Sequence, residues 1–301
     1  MTAPPASVIK VGGSILRDSG AYISVARRLA PLVRASPTWV VVSAAYGVTD
    51  ALQELAGCNP GRPLRELVEL HRRCGGAWIT PFLEADLRAA FQSAAGGDVG
   101  RLLAWGERAS VAALHARLAA LGVELEVVEL NVDTPPVWRP GALVPGFYVR
   151  DSSGSEVCLP RGGSDLSAVL TAAALGVREV TFWKSGGGVL RDGWAVPELA
   201  ARDYLSSPSD PLRPLQADAV RLARRLAIDL VLEDPLHAGG RTRITAGTTN
   251  NDPVFPGDST ALPLLREGAW TTALGGFGLG GPVSGRTPSR PSSDSSIPTF
   301  R

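Results

Sequence analysis

Three short runs of apolar, largely β-branched residues each stop at a cluster of small residues. They are Ser7–Val11 (SVIKV) before Gly12-Gly13-Ser14, Thr38–Ser43 (TWVVVS) before Ala44-Ala45, and Glu179–Trp183 (EVTFW) before Lys184-Ser185-Gly186-Gly187-Gly188. Such runs read as strands, and TWVVVS lacks polar alternation, as expected of a parallel strand covered on both faces. A helical pattern follows the first run from about Tyr22 to Val33, and another follows the second as far as Gly57. Strands alternating with helices specify an α/β fold. In open α/β sheets ligands bind beyond the carboxyl ends of the strands. Gly12, Gly13, Ser43 and Thr49 are therefore expected at one cleft.

The remaining chain supplies scaffold and further strands. Residues 59–97 read as largely helical, with loops at Asn59-Pro60-Gly61 and at 94–97, and a further helix spans 98–121 with Gly106-Glu107-Arg108-Ala109-Ser110 inside it. A Glu in such a Leu/Ala-rich helix is ordinarily solvated. Glu124–Leu130 (ELEVVEL) alternates as a strand does, Gly146–Val149 and Glu156–Leu159 flank a hairpin turn, and Asp229–Glu233 and Arg243–Thr245 read as strands around a helix at 216–227. From about residue 250 Gly, Pro, Ser and Thr dominate. The expected organisation is one domain over 1–249 and a tail over 250–301, poorly ordered at least from Gly275.

Composition excludes several functions. The net charge of +1 gives no electrostatic case for nucleic acid or an anionic membrane. No run approaches the ~18 apolar residues of a membrane span, and MTAPPASVIKVGG lacks the pattern of a signal peptide. Cys58, Cys74 and Cys158 are too scattered for a disulfide framework or a metal site, as are His71, His115 and His237, and a reduced cytoplasmic setting is expected. Of 30 basic residues only Lys10 and Lys184 are lysines.

Leu159–Leu175 (LPRGGSDLSAVLTAAAL) carries the densest chemistry. Gly162 and Gly163 permit a turn and close backbone approach. Ser164 or Asp165 is a candidate cap for the helix that follows. Arg161 offers a fork of donors suited to a carboxylate or phosphate. Upstream, Gly12-Gly13-Ser14 lies between a strand and a helix, where backbone N–H groups cradle phosphate. It matches neither the P-loop nor the dinucleotide fingerprint. Lys10, just before it, is within reach of the same phosphates.

Taken together, VIKVGGSIL (8–16), VVVSAAYGVTDAL (40–52), GERAS (106–110), VPGF (144–147) and LPRGGSDLSAVLTAAALGVREVTFWKS (159–185) resemble the amino acid kinase family, and within it the catalytic domain of aspartate kinase. The resemblance covers roughly residues 6–247. It implies a three-layer αβα sandwich around a mostly parallel sheet of about eight strands. It implies transfer of the ATP γ-phosphoryl group, with Mg²⁺, to the side-chain carboxylate of aspartate or a similar amino acid. In that reading Lys10 and the Gly12, Gly13 and Ser14 amides stabilise the transferred group, and Asp165 orients Lys10 and helps organise Mg²⁺–ATP. Ser43 and Thr49 line the acceptor region, Glu107 pairs with the acceptor ammonium and Arg161 with its α-carboxylate. By analogy the protein is expected to be a homo-oligomer, commonly a dimer.

The nucleotide half departs from the family pattern. Where aspartate kinases carry Trp-Thr-Asp-Val-Asp-Gly-Val-Tyr, this chain has Trp183-Lys184-Ser185-Gly186-Gly187-Gly188-Val189-Leu190. The usual Lys-Val-Leu-His-Pro segment is Arg213-Pro214-Leu215-Gln216-Ala217, so a second lysine is missing there. Arg213 and Lys184 are the two candidates to replace it, with Ser185 and Gly188 alongside at the phosphate. Residues 250–301 are too short and polar for the regulatory ACT domains that usually follow. Two alternatives stay open: a kinase of the same fold with another small-molecule acceptor, and a non-catalytic amino-acid-binding relative.

Overall fold

The computed structural model describes residues 6–56, 64–76, 80–134, 136–137, 139–160, 162–206, 214–237 and 239–247. The tail from 250, the loop around Cys58–Gly61, Arg161 and Arg213 lie outside the described residues. The first half of the chain runs β1 (Ser7–Val11), α1 (Ser19–Ala35), β2 (Thr38–Val42), α2 (Val48–Ala56), α3 (Leu64–Gly75), α4 (Thr80–Ala95), α5 (Val99–Ala119) and β3 (Glu126–Val127). It continues through β4 (Gly141–Pro145), β5 (Tyr148–Arg150), β6 (Glu156–Cys158), α6 (Gly163–Leu175) and β7 (Glu179–Trp183). The remainder is β8 (Leu190–Arg191), β9 (Trp194–Ala195), β10 (Glu198–Ala200), α7 (Ala201–Ser206), α8 (Ala217–Arg225), β11 (Asp229–Glu233) and β12 (Thr242–Thr245).

Eight strands form one sheet in the order β10-β12-β11-β7-β1-β2-β4-β3, and only the β11–β12 pair is antiparallel. The expected mostly parallel sheet between helical layers is present. Alternation along the strands sends side chains into two separate cores. In β2 all five residues are buried. Val40 and Val42 enter the core under α1, α3, α4 and α5, whereas Trp39 and Val41 enter the core under α6, α7 and α8. A strand buried on both faces has no use for polar alternation, which is why TWVVVS was legible.

The same alternation aims the functional side chains. Ile9 and Val11 belong to the α1–α5 core and Val8 to the α6–α8 core, so Lys10 shares the face of Val8 and points toward α6. Trp183 belongs to the first core and Phe182 to the second. Lys184, one residue on, therefore turns to the α6 side as well. Because β1 and β7 are parallel neighbours with Val11 level with Trp183, the two lysines emerge at the same end of adjacent strands.

Several boundaries differ from the sequence reading. The strand expected over 124–130 shrinks to Glu126–Val127, and the next sheet position is filled by Gly141–Pro145, in a stretch marked by turn residues. Gly146 and Phe147 precede the β5–β6 hairpin; Phe147 sits at φ 70°, a left-handed conformation that ends the strand before it. The short pieces β8, β9, β10 and α7 carry too few residues for a periodic signal. No helix among the described residues is long and apolar enough to cross a membrane.

His71 lies on the buried face of α3. Its ring stands edge-on to Trp105 at 5.0 Å, and its Nδ1 meets the Leu67 carbonyl at 2.8 Å. Burial lowers its pKa from 6.5 to about 4. The unfolded chain thus takes up this proton at a higher pH than the folded chain. The stability contributed by neutral His71 is full above pH 6.5 and is lost as pH falls toward 4. Between pH 7 and pH 5 the wild type should lose about 2 kcal/mol relative to His71→Phe, measured as the difference between their urea-unfolding free energies at each pH.

Candidate phosphoryl-transfer site

Both lysines of the chain end on one carboxylate. Lys10 Nζ lies 2.8 Å from Asp165 Oδ1, and Lys184 Nζ lies 2.8 Å from Asp165 Oδ2. The side chains are 5%, 15% and 3% exposed for Lys10, Lys184 and Asp165. Burial by itself would raise the carboxyl pKa, but the two ammoniums override it and hold Asp165 ionised, at about 2. Burial, the larger influence, and the neighbouring Lys10 bring Lys184 down to about 8 although Asp165 opposes them. Lys184 Nζ also donates to the Pro214 carbonyl, which fastens the start of the α8 approach to the site.

Asp165 reaches this position because α6 starts at Gly163. The N-cap is Gly162, at φ 82°, and no side chain caps the helix. Neither Ser164 nor Asp165 takes the capping role expected for one of them, since Asp165 turns to the lysines. A side chain at Gly162 would also strike Gln216, whose Cγ would be 2.0 Å from the added Cβ. Glycine is therefore required by both conformation and space.

The first glycine turn divides its labour. The Gly12 amide donates to the Trp183 carbonyl at 2.9 Å, so it is spent on the sheet and is not a phosphate donor as expected. Among the described residues no backbone carbonyl takes the Gly13 or Ser14 amide. A Cβ on Gly13 would lie 2.5 Å from the Ala44 carbonyl oxygen, so only glycine lets the first and second strand-end turns meet. Ser185 N donates to Ser14 Oγ at 3.2 Å, which ties the first turn to the third. Gly188 departs from the sequence reading. Its amide donates to Gly240, and an added Cβ would meet Thr242 Oγ1 at 2.3 Å, so it packs against β12. Leu190 stands exposed on the β8–β9 hairpin.

Beyond the lysines lies a cavity of about 670 Å³. Gly13, Ser14, Ser43, Thr49, Glu107 and the α6 start at Gly163-Ser164 all line it. The expected convergence of Ser43, Thr49 and Glu107 is thus present. Glu107 is not solvated as such a helical Glu ordinarily is. It is 2% exposed, and its Oε1 accepts from the Ala44 amide at 3.1 Å. Among the described residues its Oε2 has no hydrogen-bond partner. Burial, outweighing the Ala44 bond, pushes its pKa up to about 8. Ser110, one turn along α5, instead bonds the Tyr22 hydroxyl at 2.6 Å and locks α5 to α1.

Phe147 and Cys158 also line the cavity. The left-handed Phe147 is held by its amide bond to Ser167 Oγ at 3.0 Å; the Gly146-Phe147 pair was the only signal of that turn. Burial pushes the Cys158 thiol up to about 12, which keeps it un-ionised.

Residues 6–233 match the amino acid kinase family. The chain belongs to the amino acid kinase family. Its similarity within that family is to aspartokinases: 29% identity over 281 residues to the Corynebacterium glutamicum protein, covering 89% of this chain and 63% of that one. The Corynebacterium efficiens aspartokinase is 32% identical over 206 residues, 66% of this chain and 46% of that one. The family member described here therefore spans about half to two thirds of the length of these relatives. Its fold is similar to that of Escherichia coli aspartokinase III, solved with lysine and aspartate, at a TM-score of 0.66 and 19% identity over 81% of this chain and 66% of that one. It is also similar to aspartate kinase from Synechocystis, at a TM-score of 0.60 and 23% identity over 82% of this chain and 40% of that one.

Removing the shared carboxylate should be costly. Asp165→Asn leaves two buried ammoniums facing each other, so urea unfolding should show a loss of about 3–5 kcal/mol. Adding Lys184→Met to that variant should restore only part of it, because Lys10 is still buried without a counter-ion.

Proposed function

We propose that the protein transfers the γ-phosphoryl group of ATP to the side-chain carboxylate of aspartate or a closely similar amino acid. The observation that carries this reading is the pair of ammoniums on Asp165 at the carboxyl ends of β1 and β7, beside a cavity with a buried carboxyl group. Phosphoryl transfer requires mainly alignment and neutralisation of charge on the moving group. An acceptor carboxylate oxygen forms a bond to the γ-phosphorus. The bond from that phosphorus to the β–γ bridging oxygen breaks, and its electrons stay with ADP. The products are an acyl phosphate and ADP, and no proton need move.

In this reading Lys10 and the Gly13 and Ser14 amides stabilise the transferred group, while Asp165 fixes Lys10. Ser43 and Thr49 line the acceptor side. Glu107 Oε2 receives the acceptor ammonium, and Arg161 its α-carboxylate. Mg²⁺ suits this site as a companion of the nucleotide. It would be held chiefly by the substrate phosphates, because both oxygens of Asp165 already lie at lysine ammoniums. When bound, Mg²⁺ supplies charge neutralisation on the phosphates. The similarity to aspartokinases, one of them solved with aspartate and ADP, supports aspartate as the first acceptor to test.

The assay is ADP release with Mg–ATP and a panel of amino acids. Aspartate or a close analogue should give turnover; consumption of ATP with no acceptor on the panel would sink the reading, as would amino acid binding without ATP use. Lys10→Met should lower kcat by about 10²–10³-fold while the protein stays folded, because Asp165 keeps Lys184 as partner. Glu107 adds a pH signature. Below pH 8 it must lose its proton to pair with an ammonium. Acceptor affinity should therefore rise by up to about tenfold per pH unit toward pH 8. Calorimetry with Glu107→Gln should show weaker binding and no such slope.

A further inference from the structure

We propose that Lys184 is the cation that distinguishes a nucleoside triphosphate from a diphosphate, by contacting the terminal phosphate, and that it has taken this role from the end of β7. The inference rests on the phosphotransfer reading and names a residue within that site.

The geometry supplies the argument. The cluster holds two ammoniums and one carboxylate, a net charge of +1 in a nearly buried place. Glu107, which faces Lys10, is held largely neutral below pH 8, and the carboxylate of Asp234 at the adjoining turn is already taken by the Gly186 and Leu236 amides. An uncompensated buried cation is costly and is relieved by an anion. A lysine ammonium has three donors. Lys184 commits donors to Asp165 and Pro214, and one remains. Of the two lysines it is the more accessible, at 15% against 5% for Lys10. Its stem fits because Gly12 has no side chain: a Cβ there would lie 3.2 Å from Lys184 Cγ. Its backbone leads directly into the turn whose Ser185 amide bonds Ser14, beside the Gly13 and Ser14 amides. A chain that uses arginine for every other basic position keeps lysine at these two positions. A compact ammonium on a flexible stem allows two cations to share one carboxylate, which two planar guanidiniums could not do in the same space.

The scarcity of lysine gives a direct test. The full chain labelled with ε-¹³C-lysine should show two ε-carbon signals, assigned with Lys184→Arg. Mg–ATP should shift the Lys184 signal strongly, and Mg–ADP should leave it near its position in the free protein. Equal shifts with both nucleotides would overturn the proposal. Calorimetry supplies the second arm. Lys184→Met should lower Mg–ATP affinity at least tenfold and Mg–ADP affinity less than twofold, and Lys184→Arg should recover little of the difference, because a planar guanidinium does not fit beside Lys10 on Asp165. An unchanged ATP-to-ADP ratio in a folded Lys184→Met protein would show that Lys184 only holds Asp165 and Pro214 in place. Failure of the wild type to bind either nucleotide would overturn the phosphotransfer reading itself, and this proposal with it.

Discussion

A carboxylate held between two ammoniums fixes the working end of this molecule. Asp165 can be buried and ionised only because Lys10 and Lys184 surround it, and the lysines can be buried only because Asp165 is there. That mutual dependence joins three elements: β1, β7 and the first turn of α6. It also recruits the Pro214 carbonyl, so the approach to α8 is set by the same cluster. Sheet pairing brings β1 and β7 together, and the cluster adds to the apolar packing of α6 in fixing the register of its first turn against them.

Around this centre the glycines act by letting backbones approach. Gly13 admits the Ala44 carbonyl, and Gly162 turns left-handed over Gln216. The cavity that results is lined by Glu107, whose carboxyl burial holds largely neutral below pH 8, and by the start of the helix that carries Asp165. In the proposed reaction the lysine cluster would stabilise the transferred anionic group, and Glu107 would meet an acceptor that carries its own ammonium. The burial that raises Glu107 also makes it responsive to such a ligand, since a cation arriving at Oε2 would favour its ionised form.

Family membership and the geometry agree on the general chemistry, while the third turn sets this chain apart. Lys184-Ser185 stands where the resemblance leads one to expect Thr-Asp, and the expected downstream lysine is Arg213. The altered turn does not leave the site without a second lysine. It supplies one from a neighbouring strand, and the carboxylate that receives it is the one that Lys10 already uses.

The sequence by itself determined the α/β architecture, because unbroken apolar runs such as TWVVVS are stable only as strands covered on both faces, and small residues at their ends must form the turns. It also marked Lys10, Ser43, Thr49 and Asp165 through their places at strand ends and a helix start, and Glu107 only through the resemblance to the family's motifs. Tertiary structure decided the rest. Whether Glu107 faces solvent or a cavity depends on how α5 packs against the Ala44 turn, and its own helix carries no signal of that. The Gly12 and Gly188 amides were read as ligand groups, but they are consumed by strands distant in sequence. The strand Gly141–Pro145 exists because an open position in the sheet next to β2 demands hydrogen-bond partners, although its residues signal a turn. The meeting of Lys184 with Asp165 follows from the parallel register of β1 and β7 and the alternation of side chains across the sheet, a relation between strands that no single stretch of sequence contains.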